Sequence, residues 1–249
     1  MPAKANAEVT TENGFERRIN PDTLLHGLEV WYESDFIRDL RRAMRKYPNV
    51  DFSDMLSEGQ IRSKRWLVNE LINVGRPVGT AFLCAGWYAS LASMMFEEAR
   101  ALGITKIRSF DKDPSCQDVA DTLNRTYLIK NWMFKAATYD ILYLNYQRCF
   151  YDTYRVNGTV ATMEDSPDTI INTSCEHLSP SDYQAWLKMI PPGKLVVLQS
   201  NNFVTGADHV NCVRSSLEFN DATPNLNVLY RGMLSLENYD RYMLIGVSL

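Results

Sequence analysis

Three polar runs of this 249-residue chain carry side chains suited to acid–base and nucleotide chemistry. The first is Asn172-Thr-Ser-Cys-Glu-His177, where a carboxylate and an imidazole stand side by side with Ser174 and Cys175 just before them. An imidazole titrates near neutral pH, so Glu176, His177 and Ser174 are the candidates to orient an acceptor and take its proton. The same residues also suit a helix start, where an acid complements the helix dipole, and the sequence leaves both readings open. The second run is Gln199-Ser-Asn-Asn202, followed by His209 within Gly206-Ala-Asp-His-Val-Asn211. Asn201, Asn202 and His209, together with Cys175 and with Tyr32 far upstream, are the candidate substrate contacts. In the third, Phe82-Leu-Cys-Ala-Gly-Trp-Tyr88, Gly86 permits a tight turn and a close backbone approach to a ligand at the next helix's N-terminus. Asp111 follows about 25 residues later, where an acid accepts hydrogen bonds from ribose hydroxyls in nucleotide-binding folds.

Each run follows a short apolar stretch, and these stretches alternate with helical segments, the pattern of βαβ units and a parallel sheet. Strands are predicted over 80–85, 106–110, 132–136, 169–172 and 194–199, with helices after the first, second and fourth. Two more, over 227–234 and 241–247, form a closing antiparallel hairpin around Glu237–Asp240. Asn157-Gly158 suits the type I′ turn of a small inserted hairpin. Upstream, apolar residues from Leu24 to Met44 recur at helical spacing, predicting one helix from Pro21 to Tyr47 that Pro48 ends; a second runs from Ser57 to Asn73 and stops at Gly75. The expected organisation is a loose tail over 1–20, a helical cap or lid over 21–77 and an α/β domain over 78–249. Ligands of such open sheets bind at the carboxyl ends of the strands, which is where the three polar runs fall.

Composition narrows the function classes. The chain is 45% hydrophobic and 22% charged, as globular proteins are, and its net charge is −4. Nucleic-acid binding draws on Lys and Arg neutralising phosphates, so a small molecule is the expected partner rather than DNA or RNA. The one basic stretch, Arg38 to Lys46, reads as a solvated helix face interleaved with acids. No apolar run approaches the roughly 20 residues that span a bilayer, and no secretory signal is visible, so no membrane partner and a cytoplasmic location are expected. Five cysteines without a CxxC pair predict free thiols, and no metal is expected. Oligomeric state is not legible.

On the strand order, Asp111, Asp140 and the final hairpin, the chain from Val78 to Leu249 resembles the class I, Rossmann-like methyltransferases that use S-adenosylmethionine (SAM). The runs SEGQIRSKRWL, CAGWYASLA, FDKDPSC, INTSCEHL, LQSNNF and DHVNC also resemble a set of bacterial and phage methyltransferase-like proteins. The resemblance implies a seven-stranded sheet, parallel except for its last strand, with SAM as cofactor across the ends of strands one and two. It implies that Ala85, Gly86 and Trp87 line the methionine and ribose, that Asp111 holds the ribose hydroxyls, and that Lys112, Thr138 and Asp140 surround the adenine. Asn172 joins the cofactor contacts, and Ser63 and Lys64 of the cap helix are placed to grip the SAM carboxylate. The sequence departs from the family's glycine-rich loop: Cys84 stands where an acid is usual, and Tyr88, Ala89 and Ser90 replace the later glycines. The implied activity is methyl transfer to a small molecule. Alternatives on the same fold are a SAM cyclase that expels methylthioadenosine, as azetidine-2-carboxylic acid synthases do, and a regulatory SAM-binding module.

Overall fold

A computed structural model of the chain describes residues 20–155, 157–206 and 208–249. The expected tail therefore lies outside the described residues, apart from Asn20, whose side chain accepts from Asp22 N and caps the first helix. The predicted single N-terminal helix is two: α1 (Pro21–Tyr32) and α2 (Asp35–Lys46). Helical spacing runs through both, but Glu33 takes a left-handed conformation and Ser34 caps α2 by accepting from Ile37 N. A polar residue that competes with the backbone ends one helix and starts the next. No residue of α1 is buried, whereas α2 packs Leu40 and Ala43 into a cluster with Phe52, Met55, Val119 and Leu123. Arg38, Arg41, Arg42 and Arg45 along these helices all pair with carboxylates, of Asp35, Asp22, Glu29 and Asp39; Asp39, expected on a solvated face, is buried.

After α3 (Glu58–Val74), ended as expected by left-handed Gly75, the chain alternates as β1 (Gly79–Cys84), α4 (Ser90–Glu97), α5 (Ala99–Leu102), β2 (Ile104–Asp111), α6 (Pro114–Leu123), α7 (Arg125–Ile129) and β3 (Phe134–Thr138). The inserted hairpin is β4 (Cys149–Tyr154) and β5 (Val160–Asp165), with Gly158 in its turn at φ 79°. Then follow β6 (Thr169–Asn172), α8 (Pro180–Met189), β7 (Leu195–Asn201), α9 (Ser216–Asp221) and the pair β8 (Leu226–Ser235) and β9 (Asp240–Ser248). The main sheet has seven strands in the order β3-β2-β1-β6-β7-β9-β8. β1, β2, β3, β6 and β7 pair in parallel, and β9 runs against both of its neighbours. Strand order reverses between β1 and β6, which opens a crevice at their carboxyl ends.

Alternating strand residues face two cores, since successive side chains point to opposite sides. On one face Ala81, Leu83, Ile171 and Val197 meet Leu67, Val68 and Leu71 of α3 and Leu91 and Met95 of α4. On the other, Phe82, Ile170, Val196 and Leu244 meet Tyr183 and Trp186 of α8, Phe219 of α9 and Tyr151 of the inserted hairpin. In packing, α3 thus belongs with the sheet, although the sequence groups it with the cap. Asp165 ties the hairpin down: Arg108 Nε donates to it at 2.7 Å and Tyr151 OH at 2.9 Å, all three buried. No described helix is long and apolar enough to cross a membrane.

Candidate active site

At the end of β1 the chain turns through Ala85, Trp87 and Ala89, all with positive φ (53°, 47° and 54°). L-residues seldom occupy this region, and each costs on the order of 1 kcal/mol unless neighbours hold it. Asp111, at the end of β2, does so: its Oδ2 accepts from Trp87 N at 2.8 Å while Oδ1 accepts from Asp113 N at 3.0 Å. Gly86 N donates to Phe110 O, and a Cβ on Gly86 would collide with Ser109 Oγ. Gly86 is therefore required by close approach to β2. The left-handed turns are made instead by alanine and tryptophan, so the loop departs from glycine-rich in composition while keeping a conformation that favours glycine. Trp87 and Tyr88 stack at 4.4 Å, with Phe52 against Tyr88.

Thr138 pairs with Asp111 across the ends of β3 and β2, and both its N and Oγ1 donate to Gln117 Oε1. Asp140 accepts from Leu142 N and caps a short 3-10 turn, and Lys112 is exposed beside Asp111. Asn172 is fully buried at the end of β6; its Oδ1 accepts from Ser174 N, and its Nδ2 has no partner among the described residues. Lys64 is also buried, at 7% exposure, with Arg241 and Asp54 as the charges that act on it. Burial foremost, and then the Arg241 guanidinium, pulls its pKa from 10.5 down to about 8. Ser63 places α3 over the sheet, its carbonyl accepting from Gln199 Nε2 at 3.2 Å.

A cavity of about 490 Å³ opens over the ends of β6, β7 and β9, between the first turn of α3 and the β8–β9 turn. Ser174, Glu176, His177, Asn201 and His209 of the sequence candidates line it, joined by Arg241. Glu176 is the buried centre: Asn201 Nδ2 donates to its Oε1 at 2.7 Å, Arg241 Nη1 stands 3.6 Å from the same oxygen, and Oε2 has no partner among the described residues. A buried polar atom without a partner costs about 1–3 kcal/mol, so such an atom calls for a partner from outside the protein, whether water, an ion or a ligand. Arg241 is held by Gln199 Oε1 and by Thr173 O. Capping does not explain Glu176 or His177, since they sit in a three-residue 3-10 turn without a side-chain cap bond.

None of the cofactor candidates (Lys64, Ala85, Gly86, Trp87, Asp111, Lys112, Thr138, Asp140, Asn172) lines this cavity, and of the catalytic and substrate candidates three lie elsewhere. Tyr32 is at the end of α1, 66% exposed and outside the cavity lining. Cys175 points into the core below, its thiol donating to Asn172 O and its pKa raised by burial, with the neighbouring Glu176 adding to the rise. Asn202 braces the β8–β9 pair through Asp240 and Tyr242. Arg241 escapes sequence reading because a charge at the head of an apolar strand reads as an exposed edge residue; the unbroken apolar run Tyr242–Val247 directly after it was the available signal.

No known sequence family matches the chain, and no curated protein matches it in sequence. Solved structures do match in shape. The N-methyltransferase NodS from Bradyrhizobium japonicum WM9, in complex with S-adenosyl-L-homocysteine, superposes with a TM-score of 0.54 at 15% identity, covering 84% of this chain and 98% of that one. Magnesium protoporphyrin IX methyltransferase (ChlM) from Synechocystis PCC 6803 with bound S-adenosylhomocysteine gives 0.51 at 12% identity, covering 90% and 99%. Together with the strand order and the single reversed strand, these likenesses show that the chain has the class I, Rossmann-like methyltransferase fold.

Proposed function

We propose that the protein binds SAM across the ends of β1 and β2 and transfers its methyl group to a small acceptor held in the adjoining cavity. The observation that carries this reading is the Ala85–Ala89 loop held in its left-handed form by Asp111 at the switch point of the sheet. Asp111 keeps lone pairs free to accept from ribose hydroxyls, and the buried Lys64 offers a cation to the methionine carboxylate. NodS and ChlM, crystallised with S-adenosylhomocysteine, support the same choice of cofactor. SAM supplies an electrophilic methyl carbon, so the chain's own task is positioning and exclusion of water. Glu176, His177, His209 and Asn201 orient the acceptor, and the cavity of about 490 Å³ that they line has room for a small molecule. That size, with the net charge of −4, favours a small molecule over a nucleic acid. Of the proposed lid, the first turn of α3 is the part that roofs this cavity.

Calorimetry with S-adenosylhomocysteine, and mass spectrometry of products formed from SAM, test the reading. Asp111→Ala is expected to weaken binding by about 10–100-fold, the scale of lost hydrogen bonds to a charged group. Glu176→Gln is expected to lower turnover by ~10² or more at nearly unchanged cofactor affinity. Unchanged affinity in Asp111→Ala would move the ribose elsewhere, and methylthioadenosine as the product of SAM alone would replace methyl transfer by cyclisation.

A further inference from the structure

Glu176, His177 and His209 each offer a ligand atom, and these atoms lie within 4.8 Å of one another. We propose that they hold a divalent transition-metal ion whose open coordination positions face the cavity. The imidazoles are already set for this. His177 Nδ1 lies 3.1 Å from Asp208 O, and His209 Nδ1 lies 2.7 Å from Phe203 O. A carbonyl oxygen only accepts, so both Nδ1 atoms carry the proton and both Nε2 atoms keep a lone pair. This is the arrangement that orients metal-binding histidines. The rings stand 4.8 Å apart and nearly perpendicular. The carboxylate is divided in the same sense: Asn201 and Arg241 engage Oε1, while Oε2 is buried, on a residue only 2% exposed, without a partner among the described residues.

The two segments that bring these side chains together are locked to each other, because Val210 N and Asn211 N both donate to Glu176 O, at 2.9 and 3.0 Å. Ligand atoms on one tetrahedral ion with bonds near 2.0–2.1 Å stand about 3.3 Å apart. Closing the set therefore takes an approach of up to about 1.5 Å between ligand atoms. Charge agrees: Asp54, Glu58, Glu176 and Glu237 outnumber Arg62 and Arg241 in the cavity lining. Two imidazoles and one carboxylate suit Zn²⁺, Fe²⁺ or Co²⁺ and leave positions open for a further donor. On the reading of this cavity as the acceptor chamber, that donor is the acceptor's oxygen or nitrogen, whose pKa the ion lowers. The sequence expectation of no metal rested on the cysteines and did not weigh the histidines, which come together only through two separate loops.

The test is titration of the chelator-treated protein with Zn²⁺, and with Co²⁺ for its visible d–d bands, alongside calorimetry with S-adenosylhomocysteine. One equivalent of Zn²⁺ is expected to bind, weakened by about 100-fold or more in His177→Ala, His209→Ala and Glu176→Gln, beyond what loss of a supporting partner costs. The thermal melt and S-adenosylhomocysteine affinity of each variant are expected to stay near wild type, showing that the fold persists. Cys212→Ser is expected to bind as wild type does, because this thiol donates to Asn201 Oδ1 at 3.6 Å and meets His209 at Nδ1, 3.8 Å away, rather than at the ligating Nε2. Millimolar or weaker Zn²⁺ binding by the wild-type protein overturns the proposal and leaves the cofactor reading standing. Retained binding in the histidine variants, or loss in Cys212→Ser, overturns the ligand set.

Discussion

Replacing Lys64 by Met separates the demands of folding from those of the ligand. Met keeps the length of the side chain and removes its charge, at a position only 7% exposed. The displacement of the Lys64 pKa from 10.5 to about 8 corresponds to roughly 3 kcal/mol of penalty on holding the ammonium in the folded protein. The sign follows from proton uptake: between pH 8 and 10.5 the unfolded chain binds more protons than the folded one, so the penalty fades as pH rises through that window. Below pH 8 it is fully present. Lys64→Met is therefore expected to stabilise the ligand-free protein at pH 7 by up to about 3 kcal/mol, and the gain is expected to vanish above pH 10.5. Urea unfolding at several pH values measures it. The same variant is expected to bind S-adenosylhomocysteine about 10–100-fold more weakly, since hydrogen bonds to charged groups contribute about 1.5–3 kcal/mol. Methylthioadenosine, which has no carboxylate, is expected to bind unchanged. A variant that is less stable at pH 7 and binds both ligands as wild type does would refute the reasoning and make Lys64 a structural residue.

Gly86→Ala is expected to cost about 1–3 kcal/mol through the collision of its Cβ with Ser109 Oγ, and Ser109→Ala in that background is expected to restore most of it. Failure of the double variant to recover in thermal melts would remove close approach as the reason for the glycine. Asp165→Asn leaves the buried Arg108 without its partner and is expected to destabilise by about 3 kcal/mol. Burial alone would raise the Asp165 pKa, but the charge and hydrogen bond of Arg108, with Tyr151 and Lys106, hold it below 3.8. The stability it contributes is thus present above pH 3.8 and lost as pH falls through its lowered value. The gap between wild type and variant is expected to shrink only in that acid range, and a gap that shrank near neutral pH would assign it to another group.

Much of the architecture is written in local patterns. The strand expected over 169–172 is β6 to the residue, Gly75 ends α3 and Asn157-Gly158 turns the inserted hairpin, because apolar runs, caps and turn residues act over a few positions. The alternation of strands and helices was enough to reach a seven-stranded sheet, parallel but for one strand, through the resemblance it supports, whereas the spatial order of the strands came from the structure. The break between α1 and α2 escaped because apolar spacing continues across it while a single serine cap decides it. β3 begins two residues later than expected because Asn131 and Trp132 turn through the left-handed region first. Within the site, Glu176, His177, Asn201 and His209 were visible as polar strand-end residues, whereas Tyr32 and Asn202 carry the same polar character and line no part of the cavity. What only the tertiary structure decided is which polar atoms remain unpaired. Among the described residues, Glu176 Oε2, Asn172 Nδ2 and Ser200 Oγ owe their burial to chain segments distant in sequence, and whether a group finds a partner depends on distances that no local pattern encodes.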